Sequence, residues 1–252
     1  MSFEQRLFFF TGKGGVGKST LSLEFYRHLK KLSHEVLFLN LSPLKSEHEK
    51  EYSNFVLEDC ARDYIEKKLK SRVVATWITK SSFFKSILNM VPGFSYLVYL
   101  GKITEMLDEN PKLKIVVDAP ASGHMLTLLE SAENFKNIFG EGIVYDDTMK
   151  IARKLCDKDF TRYFVVSLPF EIAWKEAVEL KNELLNRTGQ LPTMIVNQIL
   201  ASSAIDGEGV PLTIKKKLDL ERKLLSEIKD EVDLMIPHYL TNSHQEENIA
   251  WK

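Results

Sequence analysis

The sequence predicts an α/β fold: a mostly parallel sheet covered by helices on both faces, with a helical insertion. Three observations predict it. Short apolar, β-favouring runs alternate with amphipathic segments of helical period, as in parallel strands joined by crossover helices. The first run passes through a glycine-rich loop straight into a helical segment. Between the second and third runs lie about 60 residues with no strand pattern, far more than the dozen or so that a crossover needs.

The elements follow in order. Leu7-Phe8-Phe9-Phe10 is the first strand, and Leu21 to Leu32 the first helix. Glu35 to Leu41 is short, apolar and β-favouring, a buried strand closed by Ser42-Pro43. A charge-rich stretch, Lys45 to Glu51, follows. From there Tyr52, Phe55, Val56, Asp59, Cys60, Tyr64 and Ile65 share a helical face, Pro92-Gly93 interrupts, and Phe94 to Leu107 resumes the pattern. This is the insertion, a helical subdomain at about residues 45–110 of a single domain spanning 1–252. Lys114 to Val117 is the third strand and Asp118 ends it. Helices are expected over 124–139 and, briefly, Ile151 to Cys156. Tyr163 to Leu168 is the fourth strand, Glu171 to Asn186 a helix, and Met194 to Val196 the fifth strand. Ala201 to Val210 reads as a polar loop. Ile214, Leu218, Leu225 and Ile228 mark a last helix, and Val232 to Ile236 a last strand. The polar tail from Thr241 is expected to fray.

The chemistry sits first in the glycine loop, Thr11-Gly12-Lys13-Gly14-Gly15-Val16-Gly17-Lys18-Ser19-Thr20. Gly12, Gly17, Lys18 and Ser19 satisfy the phosphate-loop pattern G-x-x-x-x-G-K-[ST]. Glycines let successive backbone N–H groups wrap a phosphate, and the new helix turns its positive end toward that anion. Lys18 reaches terminal phosphates, and the Ser19 hydroxyl is a Mg²⁺ ligand. Asp118, after the apolar strand residues Ile115-Val116-Val117, is placed to hold the same ion, through water, from the opposite side. Gly123 allows the backbone close to a terminal phosphate.

Composition narrows the rest. The 252 residues suffice for one large domain with its own core. A net charge of -1 gives no bulk attraction to nucleic acid or anionic membrane. No apolar run approaches the ~20 residues of a membrane span, so no integral membrane segment is expected. Residues 1–10 read as a strand, not a signal peptide. Cys60 and Cys156 match no metal or redox spacing and are expected as buried small hydrophobes in a reducing cytoplasm.

The form G-K-G-G-V-G-K-S-T, with a second lysine at Lys13, resembles the deviant Walker A signature shared by septum-site and partition ATPases, nitrogenase iron protein and arsenite-pump ATPases. Asp118-Ala119-Pro120-Ala121-Ser122-Gly123-His124 and the leucines after it are similar to switch II of the arsenite-pump ATPases and of the chaperones for tail-anchored membrane proteins. Pro92-Gly93 with Leu97, Leu100, Gly101 and Lys102, then Pro169 with Glu171 and Glu176, then Val196-Asn197-Gln198 and Pro237, are similar to later motifs of the short bacterial members. The resemblance runs from about residue 6 to about 240. It implies a P-loop ATPase fold binding ATP or ADP with Mg²⁺ on Ser19 and Asp118. The nucleotide site is implied at Gly12 and Gly14 to Thr20 (Gly14, Gly15, Val16, Gly17, Lys18, Ser19, Thr20), with Asn197 and Pro237 near the base. Lys13, Lys18, Asp118 and His124 take the catalytic or switch roles, Lys13 by reaching the nucleotide of a second subunit. A homodimer, or a heterodimer with a paralogue, is implied, as is a hydrophobic protein client.

Three departures qualify that picture. Ser42 stands where the family has a switch I aspartate that orients the attacking water, and a serine hydroxyl is far too weak a base to replace it unaided. The chain lacks a C-x-x-C, so the zinc that bridges the eukaryotic chaperone dimer is not expected. Two cysteines cannot form the pumps' three-thiol arsenite site. Two functional readings follow: an ATPase coupling nucleotide state to a helical partner-binding surface, and a hydrolysis-deficient regulatory subunit paired with an active paralogue. Two local alternatives stay open as well. His124 is either a switch residue or a structural hydrogen-bonding histidine. The apolar residues of the insertion, Phe83, Phe84, Ile87, Leu88, Met90, Val91, Phe94, Tyr96, Leu97, Val98 and Leu100, are either core or a client surface, and burial is the commoner fate of such stripes.

Overall fold

A computed structural model describes residues 3–41, 53, 55–90, 93–139, 141–200, 211–238, 249 and 251. Their strands form one all-parallel sheet in the order β2-β3-β1-β4-β5-β6. The strands are β1 (Leu7–Gly12), β2 (Glu35–Asn40), β3 (Leu113–Asp118), β4 (Thr161–Ser167), β5 (Thr193–Ile199) and β6 (Leu234–Pro237). The helices are α1 (Lys18–Lys31), α2 (Leu57–Leu69), α3 (Arg72–Lys80), α4 (Ser82–Met90), α5 (Phe94–Glu109), α6 (Ser122–Phe139), α7 (Ile143–Cys156), α8 (Glu171–Thr188) and α9 (Leu212–Ile228).

The chain path explains how the helices divide between the faces. After β2, every crossover moves the chain the same way along the sheet, to β3, over β1 to β4, then to β5 and β6. Right-handed crossovers moving one way stack their helices on one face. Only β1 to β2 runs the other way, and among the described helices α1 alone takes the opposite face. β1 is therefore buried on both sides and reads as a continuous apolar run rather than an alternating one. Phe8 and Phe10 pack with Phe25 of α1 and with Phe164, while Leu7 and Phe9 join the core shared by α5, α6, α7 and α8.

Four helices among the described residues, α2 to α5, lie between β2 and β3. Lys70 turns left-handed at φ 52° and ends α2. Ser71 and Ser81 then use their hydroxyls to accept from Val74 N and Phe84 N, at 3.4 and 3.1 Å, and so start α3 and α4. Leu97, Leu100, Ile103 and Leu107 of α5 enter the sheet core, so α5 belongs to the main body of the fold. The apolar stripe thus divides: Phe84, Leu97 and Leu100 are buried, but Phe83 and Met90 are 73% and 77% exposed. Val91 and the side chains of Ile87 and Leu88 lie outside the description.

Three sequence expectations need correction. α7 starts at Ile143, well before Ile151, because Gly142 at φ 110° opens it while Asp146 and Lys150 dilute the apolar period. Cys156, the last residue of α7, is exposed, and its thiol lies 3.7 Å from Arg187 O; only Cys60 is buried. The tail does not wholly fray. Trp251 packs against Phe25, Phe10 and Phe164 with ring centroids 5.0, 6.0 and 6.2 Å away. A lone terminal tryptophan adds no periodicity to a polar stretch, so its burial leaves no local signal. Among the described residues, no helix is long and apolar enough to cross a membrane.

Candidate phosphate-binding site

All six strands being parallel, their C-terminal ends share one edge. The chain leaves β1 toward β2 and leaves β4 toward β5, in opposite directions, so a crevice opens at the ends of these neighbours. The glycine loop lies there. Gly12 pairs with Val166 of β4 at φ 143°, and a Cβ at Gly12 would come closer than 3.0 Å to the Val166 carbonyl oxygen. The loop thus leaves β1 pressed against its neighbour's backbone, an approach open only to glycine. Val16 is buried beside Leu21 in the α1 core and anchors the far side of the loop. Between these anchors Gly14 and Gly15 face open space, with nothing within 4 Å of a built Cβ.

Charge converges on that space. α1 starts at Lys18 with no acidic side chain in its first turn, so its first N–H groups and dipole offer an unopposed positive end. Lys18 Nζ donates to Lys13 O at 2.8 Å, closing the loop on itself. Burial lowers the Lys18 pKa, and the negative charge of Asp118 partly restores it. Lys13 is exposed and ion-paired with Glu176 of α8 in the same chain.

Asp118 is 1% exposed at the end of β3, in register with Phe10 on one side and Asn40 on the other. Leu41 N donates to Asp118 O at 3.0 Å, and Thr11 Oγ1 donates to Pro120 O at 3.4 Å, so β1, β2 and β3 are tied together at their ends. Ser42, next in the chain, lies outside the described residues, as does Pro92. α6 then begins at Ser122. Gly123 and His124 are exposed in its first turn, and Met125 and Leu128 are buried below. Asn197 ends the regular part of β5, and its Nδ2 donates to Val16 O at 2.9 Å. Pro237 of β6 stands opposite Ile199, two residues beyond Asn197.

The structure therefore gathers the loop, Asp118 and Asn197 at one edge. It sets His124 at the start of α6 and Pro237 one strand farther out. The Asn197–Val16 bond spans 181 residues and has no local sequence signal. The Glu176–Lys13 pair depends equally on a contact between distant elements.

The residues present suit a polyphosphate with Mg²⁺. The open cradle at Gly14 and Gly15 has room for phosphate oxygens, and Lys18 with the α1 N-terminus supplies the positive field. One hydroxyl, Ser19, and one buried carboxylate, Asp118, make a sparse donor set. That suits Mg²⁺, which keeps waters and phosphate oxygens rather than entering an all-protein cage. No cluster of three or more His, Cys, Asp or Glu among the described residues offers such a cage.

Sheet order, central loop and edge carboxylate together define a P-loop NTPase fold. Comparison with known proteins narrows the class. Residues 5–49 match the family described as "Anion-transporting ATPase". The chain is also 24% identical, over 89% of its own length and 89% of the relative's, to a protein of Aquifex aeolicus (strain VF5) described as "Putative arsenical pump-driving ATPase 2". Both findings support an arsenite-pump-like family for this chain.

Proposed function

We propose that the chain is a Mg-ATP-binding ATPase that works as a dimer and couples its nucleotide state to its helical region. The observation that carries the reading is the open glycine cradle beneath Lys18, with Asp118 on the adjoining strand end. Lys18 and the first turn of α1 bind and orient the phosphates. Ser19 and Asp118 hold the metal, which when bound neutralises charge developing on the transferred phosphoryl group. Asn197 and Pro237 lie toward the base, and the protein works in the cytoplasm. The test is ATP titration and phosphate release by the full chain beside its Lys18→Ala variant. Binding weakened tenfold or more, with turnover gone, is expected; equal ATP affinity in the two proteins rejects the site.

Lys13 lies on the loop's exposed side, where a second subunit could approach, and reaching that subunit's nucleotide would require it to leave Glu176. Gly123 and His124 carry the γ-phosphate state into α6, which packs on α5. Hydrogen exchange along α5 should therefore differ between ATP-bound and nucleotide-free protein; changes confined to the loop and Asp118 would refute the coupling. The exposed Val73, Trp77, Phe83 and Met90 on α3 and α4 supply the partner surface.

A second reading rests on Ser42, the uncharged residue at the switch I position. In it the chain binds ATP without hydrolysing it and regulates an active paralogue. Ser42→Asp should then raise phosphate release severalfold, and an unchanged rate counts against that reading.

A further inference from the structure

The bond from Asn197 to the loop has a consequence beyond base recognition. We infer that Asn197 is a positioning residue: its side-chain amide fixes the Val16–Gly17 peptide in the orientation that receives a triphosphate. The inference deepens the ATP-binding reading above and rests on it.

β5 is built to aim this side chain. Met194 and Val196 enter the core shared with α5 and α6, while Ile195 enters the core under α1. Alternation gives Asn197 the parity of Ile195, so it faces α1 and the loop. Strict alternation would carry Ile199 to that face too, yet Ile199 lies in the other core. The register with β6 shifts between Val196 and Ile199, and Gln198 in between holds φ 60°, a costly backbone for a residue with a side chain. One extra residue is absorbed there, a bulge that re-aims the strand. Beyond it, the carboxylate of Glu221, buried in α9, accepts from Leu200 N at 3.0 Å and fixes the strand's exit. Local strain and a buried carboxylate thus both flank Asn197.

The target of that side chain is one peptide unit. Asn197 Nδ2 donates to Val16 O at 2.9 Å. Gly17 makes room for it, since a Cβ at Gly17 would come closer than 3.0 Å to the same nitrogen. In a planar trans peptide the C=O and the next N–H point opposite ways. Holding Val16 O toward β5 therefore turns the Gly17 N–H away from β5. Gly17 is the residue before α1, so its N–H joins those at the helix start. Without the bond the peptide is free to rotate, because glycine tolerates most values of φ.

The experiment separates loop from base by using a ligand that has no base. Affinities of the full chain and of Asn197→Ala are measured by calorimetry for Mg-tripolyphosphate and Mg-ATP. Backbone hydrogen exchange of residues 12–18 is measured in the nucleotide-free proteins. Losing the bond should weaken tripolyphosphate about tenfold and ATP at least as much. Loop exchange should quicken while β1 keeps its protection. Tripolyphosphate affinity within twofold of wild type overturns the inference, whatever happens to ATP. Asn197→Asp covers a failure of the alanine variant to fold. It keeps the side chain's shape but offers Val16 O an acceptor in place of a donor, and unchanged loop exchange in it also overturns the inference. If the wild type binds neither ligand, the ATP-binding reading fails, and the exchange rates still decide whether Asn197 holds the loop.

Discussion

Two glycines of one motif should fail in opposite ways when given a methyl group. Gly12→Ala places a Cβ closer than 3.0 Å to Val166 O at φ 143°. The obstacle is the backbone of a central strand, so no rotamer change relieves it. Strained backbone costs about 1–3 kcal/mol, and overpacking a close-packed site costs about 1–3 kcal/mol more. A total near 4 kcal/mol would lower Tm by about 8–16 °C in a chain of this size. Gly14→Ala meets nothing within 4 Å and needs no left-handed backbone, so its Tm should stay within about 2 °C of wild type. The open space it fills is the cradle, however, and ATP affinity should fall tenfold or more. Differential scanning calorimetry and ATP titration of both variants decide. Equal melting of the two variants would refute the geometry of the loop exit, and wild-type ATP affinity in Gly14→Ala would refute the cradle.

The other expectations concern charge and the chain terminus. Asp118→Asn removes the charge that holds the Lys18 pKa up against burial, so that pKa falls further. Lys18 attracts phosphate only in its charged form, and tripolyphosphate affinity should start to decline at a lower pH than in wild type; an unshifted pH profile would contradict the influence of Asp118 on Lys18. Trp251→Ala should cost about 2–4 kcal/mol, since it empties a site among three phenylalanines. The expected loss is about 4–16 °C in Tm, and an unchanged Tm would return the tail to a frayed state. Glu176→Gln releases Lys13 from an exposed ion pair worth at most about 1 kcal/mol. Dimerisation in ATP, followed by sedimentation, should strengthen by no more than about fivefold; weaker dimerisation would mean that Glu176 helps the interface rather than competing with it.

The elements most legible in the sequence are those whose signal is local. Leu7 to Phe10 followed by G-K-G-G-V-G-K-S-T announces strand, loop and helix within a few residues, and the structure places β1 and α1 there. Asp118 is marked by the three apolar residues before it, Ile115, Val116 and Val117, and lies at a strand end beside β1. Less legible were features set by distant contacts. Nothing near Asn197 says that its amide reaches Val16, or that Gln198 is the residue absorbed by a bulge. Trp251 is buried by Phe10, Phe25 and Phe164, which come from three different elements. The apolar stripe of the insertion misled in both directions, because periodicity marks an apolar face but not whether anything covers it. Leu100 is covered by the sheet core, and Phe83 projects outward.

The same division bears on the proposal that α6 carries the nucleotide state. Its first turn holds Gly123 and His124 just past Asp118, while Met125 and Leu128, the next turn down, are fully buried with Leu100 and Ile103 of α5. A displacement at the first turn cannot be absorbed by exposed side chains, because the helix enters the core at once. Close-packed interiors transmit such shifts rather than soften them. α5 in turn packs against α2 and α4, and α2 against α3. The exposed Trp77 and Phe83 therefore stand at the far end of a continuous set of packed helices that begins beside the phosphate loop. The face of the sheet under α1 has no such extension among the described residues. The proposed coupling therefore runs through α6 and α5, while α1, which carries Lys18 and Ser19, packs on the opposite face of the sheet.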